Sequence, residues 1–488
     1  MDEITAGTSE PALRTRLGRL VRPRRAAGDA GPQPAFDRRL LAPMILGSVL
    51  NPVNSSIISV SLVPIGAAFG AAPAQTAWLI SALYLATAIG QPVVGRLVDL
   101  YGPRRLYLVG TALTGVAGLA GVLAPGLGVL IAARVLLGLG TCAGYPASMH
   151  LIRSEARRTG HDSPAGVLTA LSVANQTIAV IGPTLGGLLI GVGGWRATLA
   201  VNIPLSLACL VLGRRRLPRT PVPRTSDGVR LTTRVDLAGM LLFAAMLVSL
   251  LLFLMHPQTS HWYLPVTTAT AAAALTLREL RAGHPFIDLR VLAGNRPLIA
   301  TYARALLTYV VSYAFLYGVT QWMQQGRGLT PSQAGLAQLP LFATAILVST
   351  TTGRRNAIRG KLLVGGVGQV AACALLLTLG AGSPLWLLLA VSLVFGIPQG
   401  LTGLALQNSV YHQADPQRLG TSAGLLRTFG YLGAIVAAAA NGAFYPHRAD
   451  TAGLHELAWF MLGCAVLFLA LTLADRTLRL TGAPKDAV

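Results

Sequence analysis

The sequence predicts an all-α polytopic membrane protein of fourteen transmembrane helices, and three observations carry that prediction. Hydrophobic residues make up 53% of the 488-residue chain and charged residues only 11%, against about 25% charged in ordinary soluble domains. Mean hydropathy is +0.59, so most of the molecular surface has to face lipid. Fourteen continuous apolar runs divide the chain, most of them near the roughly 20 residues that one helix needs to cross a bilayer. Barrel strands would instead alternate polarity over about ten residues. The same composition excludes a disordered chain, a disulfide scaffold and a soluble multidomain enzyme.

The elements follow in order. Residues 1–39 are polar and rich in Arg, Pro and Gly. They lack the apolar stretch that a signal peptide needs behind its charges, and read as a disordered basic cytoplasmic tail. Six runs, at about 40–66, 76–95, 105–124, 127–151, 165–191 and 197–213, make an N-terminal six-helix bundle over 40–213. A basic, Pro-containing linker occupies 214–235, and two inserted helices, at about 236–256 and 262–277, fill 236–277. A second linker runs over 278–296. Six more runs, at about 297–323, 333–353, 362–381, 384–408, 419–443 and 457–474, form a C-terminal bundle over 297–475, with a tail at 476–488.

Charge and tryptophan set the orientation. The net charge is +22, yet the basic residues sit in short clusters between apolar runs, which is the pattern of topology signals and not of a nucleic-acid surface. With a cytoplasmic N-terminus, the inner loops receive most of the arginines and the outer loops only Arg196, Arg327 and Arg448. Excess positive charge belongs inside. Trp78, Trp195, Trp262, Trp322, Trp386 and Trp459 then all fall at outer helix ends, where amphipathic indoles prefer the lipid–water boundary. Both termini are therefore expected in the cytoplasm, in a plasma or inner membrane. The four cysteines lie singly in apolar runs without CxxC or His-rich spacing, so no metal or cofactor is expected.

A weak internal repeat joins the two bundles. Gly95-Arg-Leu-Val-Asp99-Leu-Tyr-Gly102-Pro-Arg104-Arg105 follows the second helix, and Gly353 to Gly360-Lys361 occupies the matching place in the last six. Parallel repeats of this kind mark transporters with a binding site between the halves. The glycines suit a tight turn, Asp99 suits a helix N-terminus, and the arginines suit the wet interface. At this loop the chain resembles the major facilitator superfamily, which implies a fold of two six-helix bundles, here with two inserted helices, and a loop that clasps the halves on the cytoplasmic side. Arg134 with Gly138 and Gly140 is similar to the family's fourth-helix element, with Leu137 in place of a frequent Gln. An Arg inside a span is costly and usually functional. Gly182-Pro183-Thr-Leu-Gly186-Gly187 resembles the family's antiporter motif, although Ile178 replaces an earlier glycine. Pro183 removes a helical hydrogen bond, while Gly182 and Gly186 share a face that admits a neighbouring helix.

Further segments resemble the fourteen-helix drug:proton antiporter branch: Trp78 and Tyr84, Trp195-Arg196 with Asn202-Ile-Pro204, Pro285 to Arg290, Pro331 to Pro340, and Gly420-x-x-Ala-Gly424-Leu-Leu-Arg427-x-x-Gly430. The resemblance implies export of small amphipathic organic compounds, such as drugs or natural products, by alternating access coupled to protons. Gating residues would be Gly95, Asp99, Gly102, Arg104, Arg105, Arg134, Gly182, Pro183, Gly186 and Arg427. That branch carries an acid in its first helix where this chain has Asn54, and the sequence assigns no carboxylate to mid-membrane. His150 and His412, near inner helix ends, are the titratable candidates for coupling. Substrate-binding candidates are Asn54, Tyr84, Gln91, Asn175, Gln176, Tyr317, Gln321, Gln399 and Gln407, each equally suited to bonding a neighbouring helix.

Rival readings are a facilitator without proton coupling, a non-transporting sensor on the same scaffold, and a membrane enzyme. The last finds no HExxH motif, paired intramembrane acids or Cys/His cluster, and no phosphate loop points to ATP. The expected partners are a small-molecule substrate, a proton as coupling ion and the lipid bilayer, with no nucleic acid, for a monomeric protein. Arg134, Arg304 and Arg427 lie in spans without an evident acid to offset them, so a neutral or anionic substrate is expected over a lipophilic cation.

Overall fold

Proline and glycine punctuate the chain where helices begin and end. Pro73, Pro103 and Pro331 each occupy a first helical position, where the missing N–H goes unnoticed. Thr330 and Gln333 close a reciprocal capping box at the last of these. Gly102 turns the chain between two helices with φ of 86°, and Gly194 does so with φ of 67°, conformations that a Cβ would strain.

In the computed structural model, residues 37–159, 165–219, 236–255, 259–282, 290, 294–352, 357–414 and 419–479 are described. Every one of the fourteen apolar runs is helical. The N-terminal half comprises α1 (Leu41–Phe69), α2 (Pro73–Tyr101), α3 (Pro103–Val122), α4 (Leu127–Thr141), α5 (Gly144–Thr159), α6 (Ala165–Ala200) and α7 (Asn202–Arg216). The inserted hairpin is α8 (Leu237–Met255) and α9 (Tyr263–Arg281). The C-terminal half comprises α10 (Arg296–Ala314), a π-helical turn (Phe315–Val319), α11 (Thr320–Gln325), α12 (Pro331–Ala337), α13 (Leu339–Thr352), α14 (Ile358–Leu376), α15 (Leu385–Gln413), α16 (Leu419–Phe444) and α17 (Thr451–Ala474). Among the described residues, nine helices are long and apolar enough to cross a membrane, or ten with the bent segment at 181–216 counted. The apolar stretch Ala238–Leu254 is shorter.

Within α6 the chain reverses at Gly193 and Gly194, whose backbone leaves the helical region. Residues 175–186 climb beside α1, with Asn175 bonded to Ser48 and Gly186 against Ile57 and Val60. Residues 196–213 descend beside α3, where Arg196 bonds the Val122 carbonyl and Gly213 meets Tyr107. With α4 and α5 continuing as one span over Leu127–Ile152, this reversal gives the N-terminal half an even number of crossings and brings Arg214 to the end that carries Arg104 and Arg278. That end is the basic end below, and its opposite is the tryptophan end.

The hairpin of α8 and α9 packs on the seam between the halves, where Phe243, Leu247 and Leu275 meet Ala88 of α2 beside Tyr431 and Leu432 of α16. All six tryptophans stand at the same end of the fold, but not all in the expected boundary setting. Trp262, Trp386 and Trp459 are more than 60% exposed, whereas Trp322 is fully buried with its indole donating to Thr451 and Trp195 packs against Phe69. Three of the six thus serve as boundary anchors; Trp195 and Trp322 fill the core.

Candidate functional site

The halves meet along two pairs of helices, α2 with α16 and α6 with α12. Small residues set the second contact. A Cβ on Gly187 would stand 2.6 Å from the Pro331 carbonyl oxygen, and one on Gly335 would stand 2.5 Å from that of Pro183. The bared backbone is bonded across the seam: Ser332 donates to Gly187 O at 2.7 Å and Thr184 to Gly335 O at 3.1 Å. On its other face α6 presents Gly182 and Gly186 to α1, where a Cβ on Gly182 would collide with Ser56. One helix, stripped of side chains on two sides, therefore touches both halves.

Towards the tryptophan end the seam is sealed by polar contacts. Tyr317 donates to Ser55 O at 3.0 Å, which leaves the Tyr84 hydroxyl to donate to Tyr317 at 2.9 Å. Gln324 donates to Val60 O at 3.2 Å. Tyr317 belongs to the π-helical turn, a wider coil that often marks functional segments. At the level of this seal, Arg134 is 1% exposed and braces three helices, with Nε to Leu79 O at 3.0 Å and both Nη atoms to Asn54 O at 3.3 and 3.4 Å.

Towards the basic end the seam opens. Tyr309, Tyr313 and Tyr317 follow one another at four-residue steps along α10 and the π turn, stacked at 6.1 and 5.8 Å. Tyr84 meets Tyr313 edge-on at 5.3 Å and lies 5.9 Å from Tyr431. Tyr431 donates to Gln91 at 2.6 Å, and Arg427 lies over the Tyr145 ring at 3.5 Å. Gln91, Tyr145, Tyr309, Tyr313, Arg427 and Tyr431 are all half-buried, while Tyr84 and Tyr317 above them are fully buried. Burial along the seam is thus graded, complete on the tryptophan side and partial on the basic side.

The sequence candidates divide accordingly. Tyr84, Tyr317, Gln91 and Arg427 come together in the seam. Asn54 does not join them: its amide is spent on Leu50 O and on a reciprocal pair with Asn202 of α7. Asn175 bonds Ser48 and Leu171 O, and Gln321 is 1% exposed. Gln407 is exposed and Gln399 half-buried on α15. The side chains of Asp99 and Gln176 lie outside the described residues. Among the described residues, no atom comes within 4 Å of where a Cβ on Gly95 would stand. Arg104 donates to Arg214 O at 2.8 Å, and Arg105 is exposed. His150 is half-buried, and His412 is exposed beside Tyr411 at 5.7 Å.

Two expectations about charge need correction. Arg304 is not unpaired in its span: fully buried, it forms an ion pair with Asp475 and donates to Leu471 O. Glu279 is not in a loop, because α9 continues past its apolar run to Arg281 and buries that side chain completely, beside Asp236. Asp236 itself pairs with Arg278 at 2.7 Å.

Two helical halves joined by small-residue seams, with a polar-lined opening at one end, define a membrane transporter. The chain belongs to the Major Facilitator Superfamily, whose family model matches residues 44–438. It is 33% identical over 442 residues to an uncharacterized MFS-type transporter, YwoD, of Bacillus subtilis, covering 88% of this chain and 95% of that one. It is 29% identical over 457 residues to the lincomycin resistance protein of Streptomyces lincolnensis, covering 89% and 90%. A solved bacterial homolog of the human lysosomal transporter Spinster shares the fold, with a TM-score of 0.63 at 15% identity over 93% of this chain and all of that one. The protein is thus a multi-pass membrane transporter and not an enzyme.

Proposed function

We propose that the chain is a secondary active exporter of small amphipathic organic compounds, working by alternating access in a fourteen-span arrangement with both termini cytoplasmic. The single observation that carries this reading is the one-sided seam. It is bonded shut from Tyr84 and Tyr317 to the tryptophan end and half-exposed from Tyr313 to the basic end. With the basic end in the cytoplasm, this arrangement is inward-facing and receives substrate from the cell interior. The similarity to a lincomycin resistance protein supports drug or natural-product efflux; the same reading takes the protein as a monomer in a plasma or inner membrane. The glycine seams supply the surfaces on which the halves rock.

The test is counterflow in proteoliposomes together with resistance in a host stripped of its own pumps, using lincomycin and a panel of other antibiotics. Counterflow and raised resistance are expected. Asp99→Asn and Gly95→Leu should lower both at normal membrane abundance, because the proposed clasp would form in the opposite state. Absence of counterflow by well-inserted protein overturns the reading.

Proton coupling is the first reading of the energy source, with His150 and His412 as carriers. A transporter without proton coupling is favoured by one observation, the Asn54–Asn202 amide pair where the resembling branch carries an acid. Substrate-induced proton release from purified protein in detergent decides between the two. Release abolished by His150→Gln, by His412→Gln or by Glu279→Gln would locate the carrier.

A further inference from the structure

We infer that the seam binds planar aromatic compounds carrying an anionic group, with Arg427 reading the charge and the tyrosine column reading the ring; this rests on the export reading above. Three arginines stand in spans, and the structure separates them. Every nitrogen of Arg134 already donates to a backbone carbonyl, and the side chain is buried level with the Tyr84–Tyr317 seal. Arg304 is neutralised by Asp475. Arg427 is half-buried, and among the described residues no hydrogen bond or ion pair engages it. One face of its guanidinium is covered by Tyr145, which leaves the N–H edge as a fork suited to a carboxylate or sulfonate.

The aromatic lining adjoins that fork. A Cβ on Gly430 would stand 3.3 Å from the Tyr309 ring, and one on Gly433 would stand 2.7 Å from the Tyr309 Cβ. The two glycines of α16 thus seat this ring one turn from Arg427. Tyr431 stands four residues, about one turn, beyond Arg427 on the same helix, so the two phenols and the guanidinium border the same stretch of the seam. The carboxylates in ion pairs among the described residues, Glu155, Asp236 and Asp475, are taken by Arg158, Arg278 and Arg304. A cationic ligand would therefore bring an uncompensated charge to a site that already holds one, whereas an anion completes it. Flat rings match the tyrosine faces by offset stacking, and Gln91 adds one amide at the upper edge.

The experiment compares two dyes on one xanthene frame, fluorescein (anionic at neutral pH) and rhodamine 123 (cationic), by fluorescence polarisation on purified full-length protein. Fluorescein should bind about tenfold or more tightly than rhodamine 123. Arg427→Gln should weaken fluorescein by a similar factor and leave rhodamine 123 unchanged. Tyr309→Leu should weaken both dyes together, and Tyr309→Phe should restore them. A preference for rhodamine 123, binding of neither dye, or fluorescein binding indifferent to Arg427→Gln overturns the inference. If Arg427→Gln loses both dyes, as a misfolded protein would, Arg427→Lys decides, since it keeps the charge and has to keep the preference. Export of cations without fluorescein binding would leave the export reading standing and remove this one; fluorescein binding without counterflow would do the reverse.

Discussion

The side-chain amides of Asn54 and Asn202 face each other across α1 and α7 in a reciprocal pair, 2.6 Å in one direction and 2.8 Å in the other. Both residues are almost completely buried. The remaining protons go to Leu50 O and Leu199 O, so neither amide has a donor to spare for a ligand. The pair is a cross-link holding the returning arm of the N-terminal half against its first helix.

Removing one member strands the other. Asn54→Ala or Asn202→Ala should each lower stability by about 1–3 kcal/mol, because a buried amide loses its partner. The double variant should cost clearly less than the sum of the two. Thermal unfolding in detergent measures this, and additive losses would show that the two amides do not act as a unit. Dye selectivity should be unchanged in either single variant that folds.

The seal at the tryptophan end depends on one hydroxyl. Tyr317→Phe deletes the bond to Ser55 O and the acceptor for Tyr84, each worth about 0.5–1.5 kcal/mol. The equilibrium should shift severalfold towards the opposite opening. A single cysteine at Ser81, which is fully buried in this state, should then react several times faster with a membrane-impermeant maleimide applied from outside. Unchanged labelling would mean that the small-residue contacts at Gly187 and Gly335 hold the seal alone.

How much of this was legible before folding depends on sequence distance. The helices were, because continuous apolar runs can be satisfied in lipid only by closing their own hydrogen bonds. The glycines of α6 were, since Gly182 and Gly186 fall on one face by helical period alone. The partners were not. Asp475 lies far along the chain from Arg304 and at the edge of its apolar run, so the arginine read as unpaired. Glu279 read as a loop residue because polarity rises before α9 ends. Tyr309, Tyr431 and Tyr145 were not singled out at all, since nothing in their own segments announces that α5, α10 and α16 converge. Asn202 was visible only as part of a motif, and its bond to Asn54 depends on the reversal at Gly194.

Acid should loosen the basic end through Asp475. Burial pushes this carboxyl up, but hydrogen bonds from Thr477 and Arg304 outweigh it and hold it below the usual carboxylate range. A group whose value is lowered on folding contributes stability above its unfolded value, about 3.9, and loses it as pH falls through the folded value. Thermal stability should therefore drop as the pH falls below about 4. Asp475→Asn should be destabilised already at neutral pH, by about 3–5 kcal/mol, because Arg304 is left buried without its partner. It should also show a weaker dependence on acid than the parent protein, and an unchanged acid profile would place the sensitivity elsewhere.

Arg134 offers the sharpest separation between a brace and a charge. Its Nε reaches Leu79 O of α2 while both Nη atoms converge on Asn54 O of α1, all from a position on α4. A planar fork can span two carbonyls on different helices; an ammonium is a compact point donor and cannot keep that geometry. If the residue works as a brace, Arg134→Lys should fail nearly as badly as Arg134→Gln. Either change should lower unfolding temperature and counterflow together, through loss of charge-assisted bonds worth about 1.5–3 kcal/mol each. If it works as a charge alone, for instance by holding an anionic ligand, Arg134→Lys should recover most of the activity that Arg134→Gln loses. Thermal unfolding and counterflow on both variants distinguish the two. The near-complete burial of this side chain within the Tyr84–Tyr317 seal favours the brace, so recovery by lysine would also show that the seal opens far enough to admit substrate.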